Sequence, residues 1–134
     1  MKKFELTSEF VTFLGKKLFR IKALVAFGGV KEGELGGFVE KEENLDQSGN
    51  AWVSGDAHIQ CCRDCSAASC FGSENRTTTF FREKDGGIGV RCGCFYGTMS
   101  EFREKVKERH GDSRLAKEYL MLADLMEFRL SKDE

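Results

Sequence analysis

Residues Ser48-Gly49-Asn50-Ala51-Trp52-Val53 are followed directly by Ser54-Gly55-Asp56-Ala57-His58-Ile59, a hexad repeated in residue type at nearly every position. Repetition at this period is the signature of a parallel β-helix. Each hexad makes one side of a triangular coil, and three make a turn. Val53 and Ile59 are then the inward residues, with Trp52 and His58 facing away. Ala51 and Ala57, two places earlier, are small enough to sit inside near a corner. Glycine with Asn or Asp supplies the corner, where unusual backbone angles are needed.

The grid extends in both directions. A step of eight back from Val53, a two-residue insertion, reaches Leu45, and six more reach Val39. Forward from Ile59 the same step gives Cys65 and then Phe71. Six hexads amount to two coils over residues 36–72. The small position is kept at Gly37, Ala51, Ala57 and Ser69 but fails at Glu43 and Arg63, so the repeat is regular in the middle and frayed at both ends.

Other periods flank the hexads. Residues 1–35 hold a hairpin: Phe10–Leu14 is a strand, Gly15-Lys16-Lys17 a turn, and Leu18–Leu24 the return, with Arg20 and Lys22 on one face. Residues 73–97 hold a second hairpin, Thr77–Phe81 against Ile88–Phe95, turning at Glu83–Gly87. Residues 98–134 are helical. Thr98-Met99-Ser100-Glu101 is a capping box. Gly111 suits the end of that helix and Asp112 the N-cap of the next. Leu115, Tyr119, Leu122, Met126 and Leu130 then mark one face of a helix of about five turns, which should lie across the β part.

Composition removes several classes of partner. Formal net charge is −1, which gives bulk electrostatics no reason to favour nucleic acid or an anionic membrane. No apolar run approaches the roughly 18 residues of a membrane span. Acidic Glu5 and Glu9 interrupt any signal-peptide core, so a cytoplasmic location is the expectation. In a reducing compartment the six cysteines are thiols or metal ligands rather than disulfides.

Three constellations could carry function. Cys62-x-x-Cys65 and Cys92-x-Cys94 could give four thiolates to a zinc ion. The alternative makes them small, partly buried fillers, Cys65 standing in for an inward aliphatic. Thr77, Thr78 and Thr79, with Arg91 on the neighbouring strand and Arg76 and His110 as further cations, offer hydroxyls and guanidinium to an anion or nucleotide. Threonines are also simply good strand formers. His58 could project outwards, where hexapeptide-repeat acyltransferases keep a general base, but a stack of two coils has little groove for an acyl carrier. No paired carboxylates, nucleophile–base pair or phosphate loop accompanies either histidine.

Taken in order, Leu18–Leu24, Leu35–Leu45, Ser48–Ile59, Thr77–Phe81, Cys92–Phe95 and His110–Asp112 resemble small proteins of phage and prophage genomes. Those proteins carry a variable number of Ser-Gly-Asn-Ala-Trp-Val hexads, a Cys-Gly-Cys-Phe segment and a helix with His-Gly-Asp. The resemblance implies a phage origin, a bacterial host cell and a left-handed β-helix, and it implies no settled activity. The fold expected is therefore a single α+β domain over residues 1–134: an N-terminal β-hairpin, a short left-handed β-helix, a second β-hairpin and two C-terminal α-helices. The function expected is non-enzymatic binding without a cofactor. The chain would inhibit a host defence protein in the manner of an anti-CRISPR, or sequester a nucleotide immune signal. The alternative is a small acyltransferase-like or zinc-dependent enzyme. A homo-oligomer is also expected, because Leu120, Met121 and Leu125 fall outside the main apolar face of the last helix.

Overall fold

A computed structural model describes residues 2–45, 47, 50–55, 57–60, 64–71, 76–92 and 95–130, without the side chains of 69–71 and 76. The chain is α+β, with two four-stranded sheets and two helices. The first sheet runs β1 (Phe4–Phe13), β2 (Lys16–Ala23), β3 (Leu35–Val39) and β4 (His58–Ile59) in that spatial order. β1, β2 and β3 are antiparallel neighbours, and β4 lies parallel to β3. The first turn is Leu14-Gly15, one residue earlier than the sequence pattern suggests, and Lys16 and Lys17 already belong to β2.

The parallel contact pairs Phe38 with His58 and Val39 with Ile59. The grid residues Val39, Leu45, Val53 and Ile59 are all buried. The hexad backbone presses closely on β3: Val53 O accepts from Gly37 N at 3.0 Å and Ala57 O from Phe38 N at 2.9 Å. A Cβ on Gly36 would stand 2.6 Å from Val53 O, and one on Gly37 would stand 2.6 Å from Ala57 Cβ. Only glycine allows that approach.

Trp52 corrects the expectation that it faces away. It is fully buried, edge-on to Phe4 at 6.3 Å and to Phe27 at 5.5 Å. Residues 51–54 are not in a strand, so strict alternation does not apply, and the indole turns onto the first sheet, against Phe4, Phe27 and the backbone of Gly36.

The second sheet is an antiparallel meander of β5 (Cys65–Phe71), β6 (Arg76–Arg82), β7 (Ile88–Cys92) and β8 (Phe95–Thr98). Thr77–Phe81 and Ile88–Cys92 pair as the expected hairpin, but the return strand stops at Cys92 and Phe95 belongs to β8, which folds back antiparallel on β7; β5 adds a strand on the other side. Cys65–Phe71, placed by the grid in a second coil, instead forms one strand antiparallel to β6. Cys65 still packs against the first core, as its grid position requires.

Helix α1 (Met99–His110) begins with the capping box in place: Glu101 N donates to Thr98 Oγ1 at 3.1 Å and Thr98 N to Glu101 Oε1 at 2.9 Å. Gly111, at φ +59°, ends it. Helix α2 (Arg114–Leu130) is preceded by Ser113, whose Oγ accepts from Ala116 N at 3.3 Å, so Ser113 rather than Asp112 supplies the cap. Tyr119, Leu122, Met126 and Leu130 are buried as the spacing demands, and Leu115 is half-buried.

Strand alternation then sets three layers. Phe81 faces the first sheet and joins its core, whereas Phe80 and Val90 face the helices and join theirs. The second sheet is the middle layer, covered on both sides.

Candidate functional site

The middle layer decides what the threonine–arginine cluster is. Thr78 and Thr79 are 0% and 1% exposed. Thr79 and Arg91 are cross-strand partners, so they share the face that meets the hexads. The Thr79 hydroxyl accepts from Trp52 N at 3.1 Å. Arg91, 7% exposed, spends its guanidinium on three acceptors. Its Nη1 donates to Glu34 Oε2 at 2.8 Å and to Ser54 Oγ at 3.0 Å, and Nη2 donates to Gly29 O at 2.9 Å. Burial disfavours the charged form of Glu34. The hydrogen bond from Arg91, that from Lys31 N, and the charges of both residues outweigh it, holding the carboxyl below its ordinary range.

Thr78 belongs to the opposite face, and its hydroxyl lies 3.3 Å from Cys92 Sγ. Thr77 is half-buried, and the Arg76 side chain lies outside the described residues. His110 does not join the cluster. It ends α1, half-buried and stacked on Tyr119 at 5.8 Å. The arrangement is an internal fastening of the 29–34 loop and the hexad turn to the middle sheet. The bonds described for Arg91 and Thr79 all run to groups within the chain.

The cysteines are separated by the same alternation. Cys65 packs against the first core and Cys92 against the helical core, on opposite faces of one sheet, so one tetrahedral zinc site cannot take both. Cys62 and Cys94 lie outside the described residues. Among the described residues no cluster of potential metal ligands forms. His58 sits half-buried on the outer face of the first sheet, its ring 4.8 Å from that of Phe13 and 5.8 Å from that of Phe38. The Arg20 guanidinium covers the other part of Phe38 at 4.5 Å. The rings that pack on this imidazole are aromatic.

Two surface features stand apart from this interior. The first is the tip of the β1–β2 hairpin. Leu14 has φ +51°, and among the described residues it is the one non-glycine with positive φ. Gly15 follows at φ +82°. Two successive positive φ angles are those of a type I′ turn, whose preferred first residue is Asn or Asp. A leucine there costs about 1 kcal/mol of backbone strain. Leu14 is also 75% exposed, beside Phe10 at 46%. Lys17 Nζ lies 4.7 Å over the Phe10 ring, and Lys16 is exposed next to the turn. The second feature is the outer face of α2, where Met121, Leu125 and Phe128 are 71%, 52% and 80% exposed. The pattern of residues signals Leu125 and Met121 as outward. It cannot signal Leu14, because an apolar residue before glycine reads as the end of a strand.

No helix among the described residues is long and apolar enough to cross a membrane. No protein-family model, curated protein or solved structure matches this chain.

Proposed function

We propose that this chain is a non-enzymatic, phage-encoded binding protein that inhibits a host defence protein by inserting its β1–β2 hairpin tip. The observation that carries the reading is Leu14. Backbone strain and 75% exposure of a large apolar side chain at one position are both costs to the free protein, and such outliers cluster at binding elements. Leu14 and Phe10 form the apolar part of the contact, and Lys17 flanks it together with Lys16, whose ammonium lies 3.6 Å from Glu40 within the chain. The complementary surface is an apolar pocket rimmed by carboxylates. The phage origin rests on the sequence resemblance alone. Protein inhibition is favoured over nucleotide sequestration because Arg91 and Thr79, the groups suited to phosphate, are bonded internally. The same burial speaks against an enzyme built on them.

The fold reading goes with this proposal. Residues 36–59 make one coil of a left-handed β-helix, supported by the parallel pairing of Val39 with Ile59, one lap of the grid later, and by burial at all four inward positions. The chain then leaves the coil at Cys65 for the second sheet.

Affinity purification of tagged protein from host cells, with mass spectrometry of captured protein and of released small molecules, tests the function. The expected result is one host protein in near-stoichiometric amount, lost from a Phe10→Ser variant that melts like wild type. A nucleotide released in place of a protein, or capture unchanged by Phe10→Ser, overturns the reading.

A further inference from the structure

The outer face of α2 needs a separate explanation, because it lies on a different layer from the hairpin tip. At 3.6 residues per turn, Met121, Leu125 and Phe128 form a stripe directly opposite the buried face of Ala116, Tyr119, Ala123 and Met126. Spacing of four and then three is the seam of a helix that packs against another helix. The flanks of the stripe differ. On one, Arg103 of α1 donates to Asp124 at 2.8 Å and to Glu127 at 2.7 Å, so both carboxylates are engaged within the chain. On the other, Glu118 and Arg129 are exposed, and neither makes an ion pair among the described residues.

We infer that this face binds a second copy of the chain, with the two α2 helices antiparallel about a two-fold axis that passes between Ala123 and Asp124. A two-fold of this kind brings the same flank of both helices together. Glu118 of one copy then stands level with Arg129 of the other, and the reverse pair forms by symmetry. With a rise of about 1.5 Å per residue, Met121 falls at a height between Leu125 and Phe128 of the second copy. Each knob therefore meets a hole rather than another knob. The opposite charges on a single flank are what select a second copy over an unrelated helix, since one placement of the axis satisfies both pairs and the seam together. The Asp124 side chains approach each other in this arrangement, and the Arg103 bridge within each copy offsets their repulsion. The dimer leaves the hairpin tip uninvolved, so the inference stands independently of the proposed target.

Sedimentation velocity on wild type and four variants tests it, with far-UV circular dichroism as the folding control. Wild type is expected to be a dimer at micromolar concentration. Leu125→Glu, at an exposed site, should stay folded and weaken dimerisation about a hundredfold or more. Glu118→Arg and Arg129→Glu should each weaken it by about tenfold, because each places like charges together twice. The double variant Glu118→Arg/Arg129→Glu should return to within a few-fold of wild type. A wild type that stays monomeric at its highest soluble concentration overturns the inference. So does a dimer indifferent to Leu125→Glu, or a double variant weaker than either single one.

Discussion

The middle sheet and the β1–β2 hairpin tip reverse the usual association of residue type with role. The middle sheet holds the residues that look chemical: three threonines in a row, an arginine across the strand and a cysteine beside them. All of those whose side chains are described are buried or half-buried, and Arg91 and Thr79 have their bonds made inside the protein. The tip holds residues that look structural, Phe10 and Leu14, yet they are exposed, and Leu14 is strained as well. A polar residue buried and bonded inside the protein would have to break those bonds to serve a ligand. An apolar residue held outside against its own backbone preference has no internal reason to be there. On the proposed reading, satisfaction rather than polarity separates structure from function in this chain.

The largest effect belongs to the shared core beneath both regions. Val53→Asp would put a carboxylate into the apolar cluster of Trp52, Ile59 and Val39, a cost of several kcal/mol and comparable to the whole stability of a small domain. The variant should be unfolded by circular dichroism at room temperature. Retention of the wild-type melting temperature would show that the hexad grid is misplaced.

Next comes the fastening itself. Arg91→Ala strips donors from Glu34, Ser54 and the Gly29 carbonyl at one stroke and should cost about 3 kcal/mol in urea denaturation. If Arg91 were instead a ligand group, its removal would leave stability near wild type and alter only binding. Glu34→Gln should cost less, about 1 kcal/mol near neutral pH. The folded-state pKa of Glu34 lies below its unfolded value. Its contribution is therefore complete above the ordinary carboxylate pKa of about 4.3, and is lost as pH falls through the folded-state value. The stability curves of Glu34→Gln and wild type should converge in acid. Parallel curves down to the lowest pH that keeps the fold would contradict the role given to that carboxylate.

How much of this was readable beforehand follows the periodicities. Helices α1 and α2 were, because the Thr98–Glu101 box and the four-three-four-four spacing are local signals that packing then reinforces. The inward hexad residues were, because their side is buried whatever the strands do next. Trp52 was not, because the hexad pattern assumes strand alternation, and residues 51–54 leave it, so the indole turns inward onto Phe4 and Phe27. Strand β5 was not, because Cys65–Phe71 is rich in Cys, Ser and Ala, which carry little strand preference, and it becomes a strand by pairing with β6. The threonines are legible as strand, but the pattern leaves open whether they face a ligand or the interior, since centrality in a sheet is a property of distant partners. The tip was invisible because positive φ at Leu14 follows from the two-residue turn that the β1–β2 register dictates.

The smallest energetic effect is also the most telling. Leu14→Asn installs the residue that a type I′ turn prefers and removes about 1 kcal/mol of strain. Measured side by side with wild type, the account predicts a higher urea midpoint together with loss of host-protein capture. A variant that is more stable and captures its target undiminished would contradict the claim that the strained leucine is there to bind.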